Sequence, residues 1–342
     1  MGVELGRLMS AEMNEQPTVL SRLADQFPDI TGQVRAVRPA RPGGVAFLAR
    51  GSSDNAALLG RYLVERDHGL PTCLVAPSIA TAYRRPLDGF AGWIVVAVSQ
   101  SGRTPEIVDL AGRFRAAGAV VLGISNDDES DLAAASSLSI GLGAGPERAV
   151  PATKTVTAQM LAMLAVAGGL GDAAGSALGP GEIGYAVAEV LQDRDAVEAA
   201  AAAIDVDRMA VVARGLCLAA ATESSLKLQE TTAMMAHGFS TADFRHGPIA
   251  VCGPRTPALL IAGSGPADAD TLALRDDLAA RGARSVVVGT TPDADVPLPE
   301  GEQDLECVLA TVRGQQFALA LSQRRGIDPD APSGLRKITP TQ

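Results

Sequence analysis

Two doubly wound α/β units in tandem, each a parallel sheet between two helical layers (αβα), are the fold this sequence predicts. Three observations carry it. Strand-like apolar runs alternate with segments of helical period, the pattern of βαβ units. The 342-residue chain is 47% hydrophobic but only 3% aromatic, so its interior is Ala, Val and Leu, which suits helices packed closely on parallel strands. The second half of the chain repeats the first, and the length suits two domains of roughly 150 residues.

In the first half, GVAFLAR (44–50), TCLVAP (72–77), WIVVAVS (93–99) and AVVLGIS (119–125) are short, continuously apolar runs expected as buried strands. Helical stretches are expected around 54–67, 105–117 and 153–169. GDAAGSALGPGEIGY, 171–185, is rich in small residues and reads as a connection between lobes. FLARGSSDNAA (47–57) is then answered by VVARGLCLAAA (211–221), with the ARG tripeptides 164 positions apart. VAVSQSG (96–102) is answered by LLIAGSG (259–265), RFRAAGA (113–119) by DLAARGA (277–283), and VVLG (120–123) by VVVG (286–289).

Composition excludes several classes. The net charge is −10 with no Lys/Arg cluster to neutralise a run of phosphates, so nucleic acid is not an expected partner. No stretch reaches 18 uninterrupted apolar residues, and the first twenty residues carry three Glu and no apolar h-region. The expectation is a cytoplasmic protein with no membrane span and no signal peptide. Cys73, Cys217, Cys252 and Cys307 lie far apart without a CxxC, as reduced thiols do, and three histidines are too few for a His-rich metal centre. There is no GxGxxG after either first strand, which disfavours a dinucleotide; no cofactor and no metal are expected.

The repeat fails at one loop. In the first copy the third strand ends in Ser99-Gln100-Ser101-Gly102-Arg103-Thr104, and Pro105 suits the first position of a helix with Thr104 as its N-cap. Ligands of open α/β sheets bind beyond the carboxyl ends of the strands, and hydroxyls with helix-start N–H groups can cradle a phosphate monoester. Gly51-Ser52-Ser53 should open on the same sheet edge. The second copy has GSGPAD there, with a single hydroxyl.

ESSLKLQE, 223–230, places Glu223, Lys227 and Glu230 at i, i+4 and i+7, on one helical face. Taken alone it reads as a solvated stripe with a weak ion pair, with an acid–base group as the alternative. His237, beside Met234 and Met235, is expected in the core or an interface. Lys154 is expected at the start of a buried helix.

ARGSSDN, SQSGRT, VPATKT, ESSLKLQE, FRHGP and GLRK, in this order and at these distances, resemble the isomerase half of glucosamine-6-phosphate synthase. They are similar too to stand-alone relatives with two sugar isomerase (SIS) domains, sugar-phosphate deaminases among them. The resemblance covers roughly residues 10–340. It implies an N-terminal helical segment over 1–30, a first SIS domain over 31–172, a second over 190–328, and a tail, 329–342, that contributes to the active site. It implies that Gly51, Ser52, Ser53, Ser99, Gln100, Ser101, Thr104 and Val150 bind a sugar phosphate. Glu230 would then move the proton at sugar C2, with Glu223 and Lys227 beside it. His246 would assist ring opening from a neighbouring subunit of a homodimer, and Lys337 would meet the carbonyl carbon. Two departures stand out: Gln229 where the synthase carries a second lysine, and Ala152 where VPATK has a serine in the family. The chain also begins without an N-terminal cysteine nucleophile or a glutamine-hydrolysing domain, which argues against synthesis from glutamine. The reaction expected is therefore deamination and isomerisation of glucosamine 6-phosphate. The alternatives are dehydration of N-acetylglucosamine 6-phosphate, a fructosamine-6-phosphate deglycase, and a non-catalytic sugar-phosphate sensor.

Overall fold

The computed structural model describes residues 5–171, 182–204 and 206–337. Most of the connection expected over 171–185 lies outside the described residues. In chain order the first half runs α1 (Arg7–Asn14), α2 (Gln16–Asp25), α3 (Phe27–Val37), β1 (Val45–Leu48), α4 (Ser52–His68), β2 (Thr72–Leu74), α5 (Pro77–Thr81), β3 (Ile94–Val98), α6 (Pro105–Ala116), β4 (Val120–Ser125), α7 (Asp131–Ala135), β5 (Leu138–Gly141) and α8 (Lys154–Leu170). The second half follows with α9 (Glu182–Gln192), α10 (Asp195–Ala202), β6 (Arg208–Ala213), α11 (Leu218–Thr232), β7 (Met235–Ser240), α12 (Thr241–Arg245), β8 (Ala258–Ala262), α13 (Asp268–Leu272), α14 (Leu274–Ala279), β9 (Ser285–Gly289), β10 (Val296–Pro297) and α15 (Gln303–Arg324).

The chain folds as two compact units. One comprises residues 18–147 and 154–171; the other comprises 5–17, 148–153 and most of 183–337. The first unit holds a five-stranded parallel sheet in the order β2-β1-β3-β4-β5. Its central strands β1 and β3 are buried along their whole length, which explains their unbroken Val, Ala and Phe. On one face Val95, Ala97 and Val121 meet Ile107, Leu110 and Phe114 of α6 and Leu132 of α7. α4 and α3 both pack against α8, and α4 also against β1.

The second unit repeats this plan. Its sheet runs β10-β9-β8-β6-β7, parallel throughout, so β6, β7, β8, β9 and β10 take the places of β1, β2, β3, β4 and β5. The internal repeat seen in the sequence is thus a repeat of topology. Phe244 of α12 and Leu274 and Leu278 of α14 close one face, while α11 packs on β6, β7 and β8 and against α15. α1 belongs here: Glu12 accepts from Arg148 N at 2.5 Å and Ala149 N at 3.2 Å, and Leu8 N donates to Asp330 at 2.6 Å. One short helix therefore fixes both the segment bearing Val150 and the start of the tail that ends in Lys337.

Candidate active site

The three charges of ESSLKLQE are not a solvated stripe. Lys227 Nζ lies 2.5 Å from Glu230 Oε2 and 3.3 Å from Glu223 Oε1. The side chains of Lys227 and Glu223 are wholly buried, and Glu230 alone is partly open, at 21% exposure. Burial follows from packing, because α11 is covered by the sheet and by α15. The helices approach closely: a Cβ at Gly314 of α15 would fall 2.0 Å from Ser224 Oγ of α11. Burial pulls the Lys227 ammonium toward neutrality, but the two carboxylates outweigh it and its pKa ends above the ordinary lysine value. Lys227 is therefore a fixed positive charge, and the carboxylate that solvent can reach is Glu230.

In the other unit, the two loops named by the sequence follow β1 and β3. These strands are neighbours whose crossovers, α4 and α6, lead to opposite sides of the sheet, which makes the gap between them the topological switch point. Ser52 opens α4 and Ser53 is buried in its first turn. Gly102 has φ 62°, and a Cβ there would sit 2.2 Å from Ser130 Oγ, so the turn needs glycine. Thr104 holds the N-cap position of α6 in extended conformation, yet its hydroxyl does not cap the helix. It bonds instead with Ser99 Oγ at 3.1 Å, while Ser101 Oγ accepts from Arg103 N at 3.2 Å. Ser99 is buried; Gln100, Ser101 and Thr104 are half-buried and within reach of a ligand.

The second copy's loop explains why the repeat fails. Val98 and Ala262 end β3 and β8, and counting on from them puts Asp268 where the first copy has Thr104. Ser264 N donates to Glu306 Oε2 at 2.9 Å and Gly265 N to Asp268 Oδ2 at 2.9 Å. Both carboxyls are buried. The backbone donors matching Gln100 and Ser101 are thus taken by carboxylates of the chain itself. Burial, and secondarily the charge of Glu306, push the Asp268 carboxyl up to about 6. A carboxyl that holds its proton more tightly when folded stabilises the fold below about pH 4, and this contribution is lost as pH rises through about 6. At roughly 1.4 kcal/mol per unit the loss approaches about 3 kcal/mol. Chemical denaturation at a series of pH values should show wild type losing stability relative to Asp268→Asn between pH 4 and 6.5; a constant difference would refute the assignment.

The remaining candidates are spread over the second unit. His246 caps α12, is exposed, and makes no side-chain hydrogen bond among the described residues. Val150 is half-buried in the segment held by Glu12, and Lys337 is half-buried at the end of the described tail. Gln229 donates to Ala236 O at 2.5 Å, which ties α11 to β7. Lys154 opens α8 and is wholly buried. His237 is not a core residue: it is exposed on the edge strand β7, its ring 4.4 Å from Phe239, where strand alternation buries Ala236 and turns Met235 and His237 outward. The four thiols are free; Cys217, Cys252 and Cys307 are buried, and burial pushes Cys307 up to about 12. Among the described residues no group of three or more His, Cys, Asp or Glu is placed to hold a metal, and no helix is long and apolar enough to cross a membrane.

Comparison with known proteins places this architecture. A glutamine–fructose-6-phosphate aminotransferase (isomerizing) of Gloeobacter violaceus is 32% identical over 360 residues, covering 96% of this chain and 58% of that protein. The chain spans about half the length of the curated relatives it matches. A crystal structure from Silicibacter pomeroyi, provisionally assigned as a phosphosugar isomerase, is 30% identical with TM-score 0.75 and covers 94% of this chain and 99% of the other. The fold is shared with a glucosamine-6-phosphate deaminase of Thermotoga maritima, at 23% identity, TM-score 0.78, and 96% and 98% coverage. The model of the SIS domain matches residues 41–168 and again 204–303, one match for each sheet, and the chain belongs to the SIS-domain family.

Proposed function

We propose that this protein is an enzyme acting at C2 of a 6-phosphorylated aminosugar, and that it converts glucosamine 6-phosphate and water to fructose 6-phosphate and ammonia. The observation that carries this is the buried ammonium of Lys227 held between two carboxylates, of which only Glu230 opens outward. Glu230 takes the C2 proton of the open-chain aldehyde and Lys227 balances the charge that develops. Return of the proton to C1 leaves an imine at C2, and water replaces its nitrogen as ammonia. The loops Gly51–Ser53 and Ser99–Thr104 hold the phosphate, and Val150 contributes to the sugar's surroundings. Lys337 meets the carbonyl carbon. His246 assists ring opening and is supplied by the partner in a homodimer, a role in keeping with its exposure within one chain. The reading is supported by the SIS family match and by relatives that handle fructose 6-phosphate and glucosamine 6-phosphate.

Mass spectrometry and ammonia assays across free and N-acetylated 6-phosphohexosamines test the reaction. Ammonia and a ketose phosphate from glucosamine 6-phosphate are expected. Loss of water from N-acetylglucosamine 6-phosphate without any ammonia release would make the enzyme a dehydratase, and binding with no turnover would make it a sensor. The loop is tested separately. Ser101→Ala and Thr104→Ala each remove a hydroxyl partner of a dianion, at about 1.5 to 3 kcal/mol per bond. Together they should weaken phosphosugar binding by at least about a hundredfold in calorimetric titration while the circular dichroism spectrum is kept; an unchanged dissociation constant would remove this loop from the site.

A further inference from the structure

The two Ala-Arg-Gly tripeptides of the repeat each carry a central arginine that pairs with a carboxylate. Arg50, the residue before Gly51-Ser52-Ser53, donates from Nε to Glu106 Oε2 at 3.1 Å, and its terminal nitrogen lies 2.9 Å from the same oxygen. Glu106 is the second residue of α6, directly beyond the Ser99–Thr104 loop, and its side chain is 6% exposed. In the second copy Arg214 pairs with Asp270 of α13. Both partners have moved by 164 positions, 50 to 214 and 106 to 270, so the pair is part of the repeated plan. Asp270 also accepts from Arg245, whose other terminal nitrogen lies 3.2 Å from Asp277. Arg245 is the last residue of α12, immediately before His246.

The β1–β3 ladder ends at Leu48 and Ala97. Past that point the two phosphate loops lose the regular ladder that sets their spacing, and Arg50–Glu106 is a bridge between them. We propose that this repeated arginine–carboxylate clamp is a positioning device, which sets the two phosphate loops in register in the first copy and the turn bearing His246 in the second. The proposal rests on the reading above, that those loops hold phosphate and that His246 serves ring opening.

A substitution at Glu106 separates positioning from simple electrostatics. Removing a negative charge near an anion site should tighten phosphate binding if charge alone matters. If Glu106 positions the loops, Glu106→Gln should weaken binding of both inorganic phosphate and glucosamine 6-phosphate about tenfold in calorimetric titration, with kcat changed less than twofold. The exchanged pair, Arg50→Glu with Glu106→Arg, should recover most of the affinity. For the second clamp, Asp270→Asn, which unties Arg214 and Arg245 together, should lower kcat on glucosamine 6-phosphate about tenfold at constant KM. The same variant should leave the rate unchanged on an analogue lacking the C4 and C5 hydroxyls, which cannot close a five- or six-membered ring. Equal or tighter phosphate binding by Glu106→Gln overturns the first clamp, and equal slowing of both substrates by Asp270→Asn overturns the second. If Ser101→Ala with Thr104→Ala weakens binding and Glu106→Gln does not, the clamp alone fails. If neither weakens it, the reading of the loop fails and the clamp falls with it.

Discussion

Glu230→Gln is expected to bind glucosamine 6-phosphate with the affinity of the wild type and to lose C2 proton exchange with deuterated solvent by a factor of about 10² to 10⁴, the usual contribution of a general base. The amide keeps the shape of the side chain and its hydrogen bond to Lys227, so binding and fold should survive. Every product should disappear together, because exchange at C2 precedes them all. Mixing this variant with His246→Ala under conditions of subunit exchange should restore part of the activity through hybrid sites if His246 crosses an interface. Retained exchange in Glu230→Gln would take this carboxylate out of the chemistry.

Lys227→Met should have the largest effect on stability. It removes the positive charge 3.3 Å from the carboxylate of Glu223, which is wholly buried. Breaking a buried ion pair by deleting one partner costs about 3 to 5 kcal/mol, a large part of the total of a typical domain. Replacing both partners is different, since apolar or neutral groups of similar volume fill such sites at little cost. Lys227→Met with Glu223→Gln should therefore recover most of the lost stability in urea unfolding, and none of the activity. A loss below about 1 kcal/mol in the single variant would mean that solvent reaches this pair.

How much of this was legible in the sequence differs from element to element, for physical reasons. The buried strands β1, β3, β4, β6, β8 and β9 announce themselves as apolar runs because both faces of a parallel sheet are covered. β5 is half-buried over most of its four residues and carries Ser139 and Gly141, so it has no such signature. The triplet on α11 could be placed on one helical face from its spacing, but spacing says nothing of burial. Whether that face was wet depended on α15, which lies some eighty residues further along and packs so closely only because residue 314 is glycine. The loop GSGPAD was recognisable as lacking hydroxyls. What fills it was not, because Glu306 comes from a distant helix. The Arg50–Glu106 and Arg214–Asp270 pairs are half legible: both partners shift by the repeat offset, but the arginines stand in an identical tripeptide whereas Glu106 and Asp270 stand among residues that differ between the copies.

The second copy's loop also divides the molecule's response to its ligand. A tethered carboxylate is present at an effective concentration that a free anion at cellular levels does not match. Asp268 and Glu306 therefore fill that loop from within the chain, and its stability answers to pH rather than to a free anion. The Ser99–Thr104 loop after β3 is, on the proposed reading, filled by the phosphosugar instead, and the unit that contains it would then gain RT ln(1 + [L]/Kd), about 2.7 kcal/mol at a hundredfold excess over Kd. One duplicated plan thus contains a loop occupied by carboxylates of the chain itself and a loop proposed to answer to phosphosugar. If the Ser99–Thr104 loop holds phosphosugar as proposed, substrate should protect that loop against proteolysis, whereas the order of the GSGPAD loop is set by carboxylates of the chain itself.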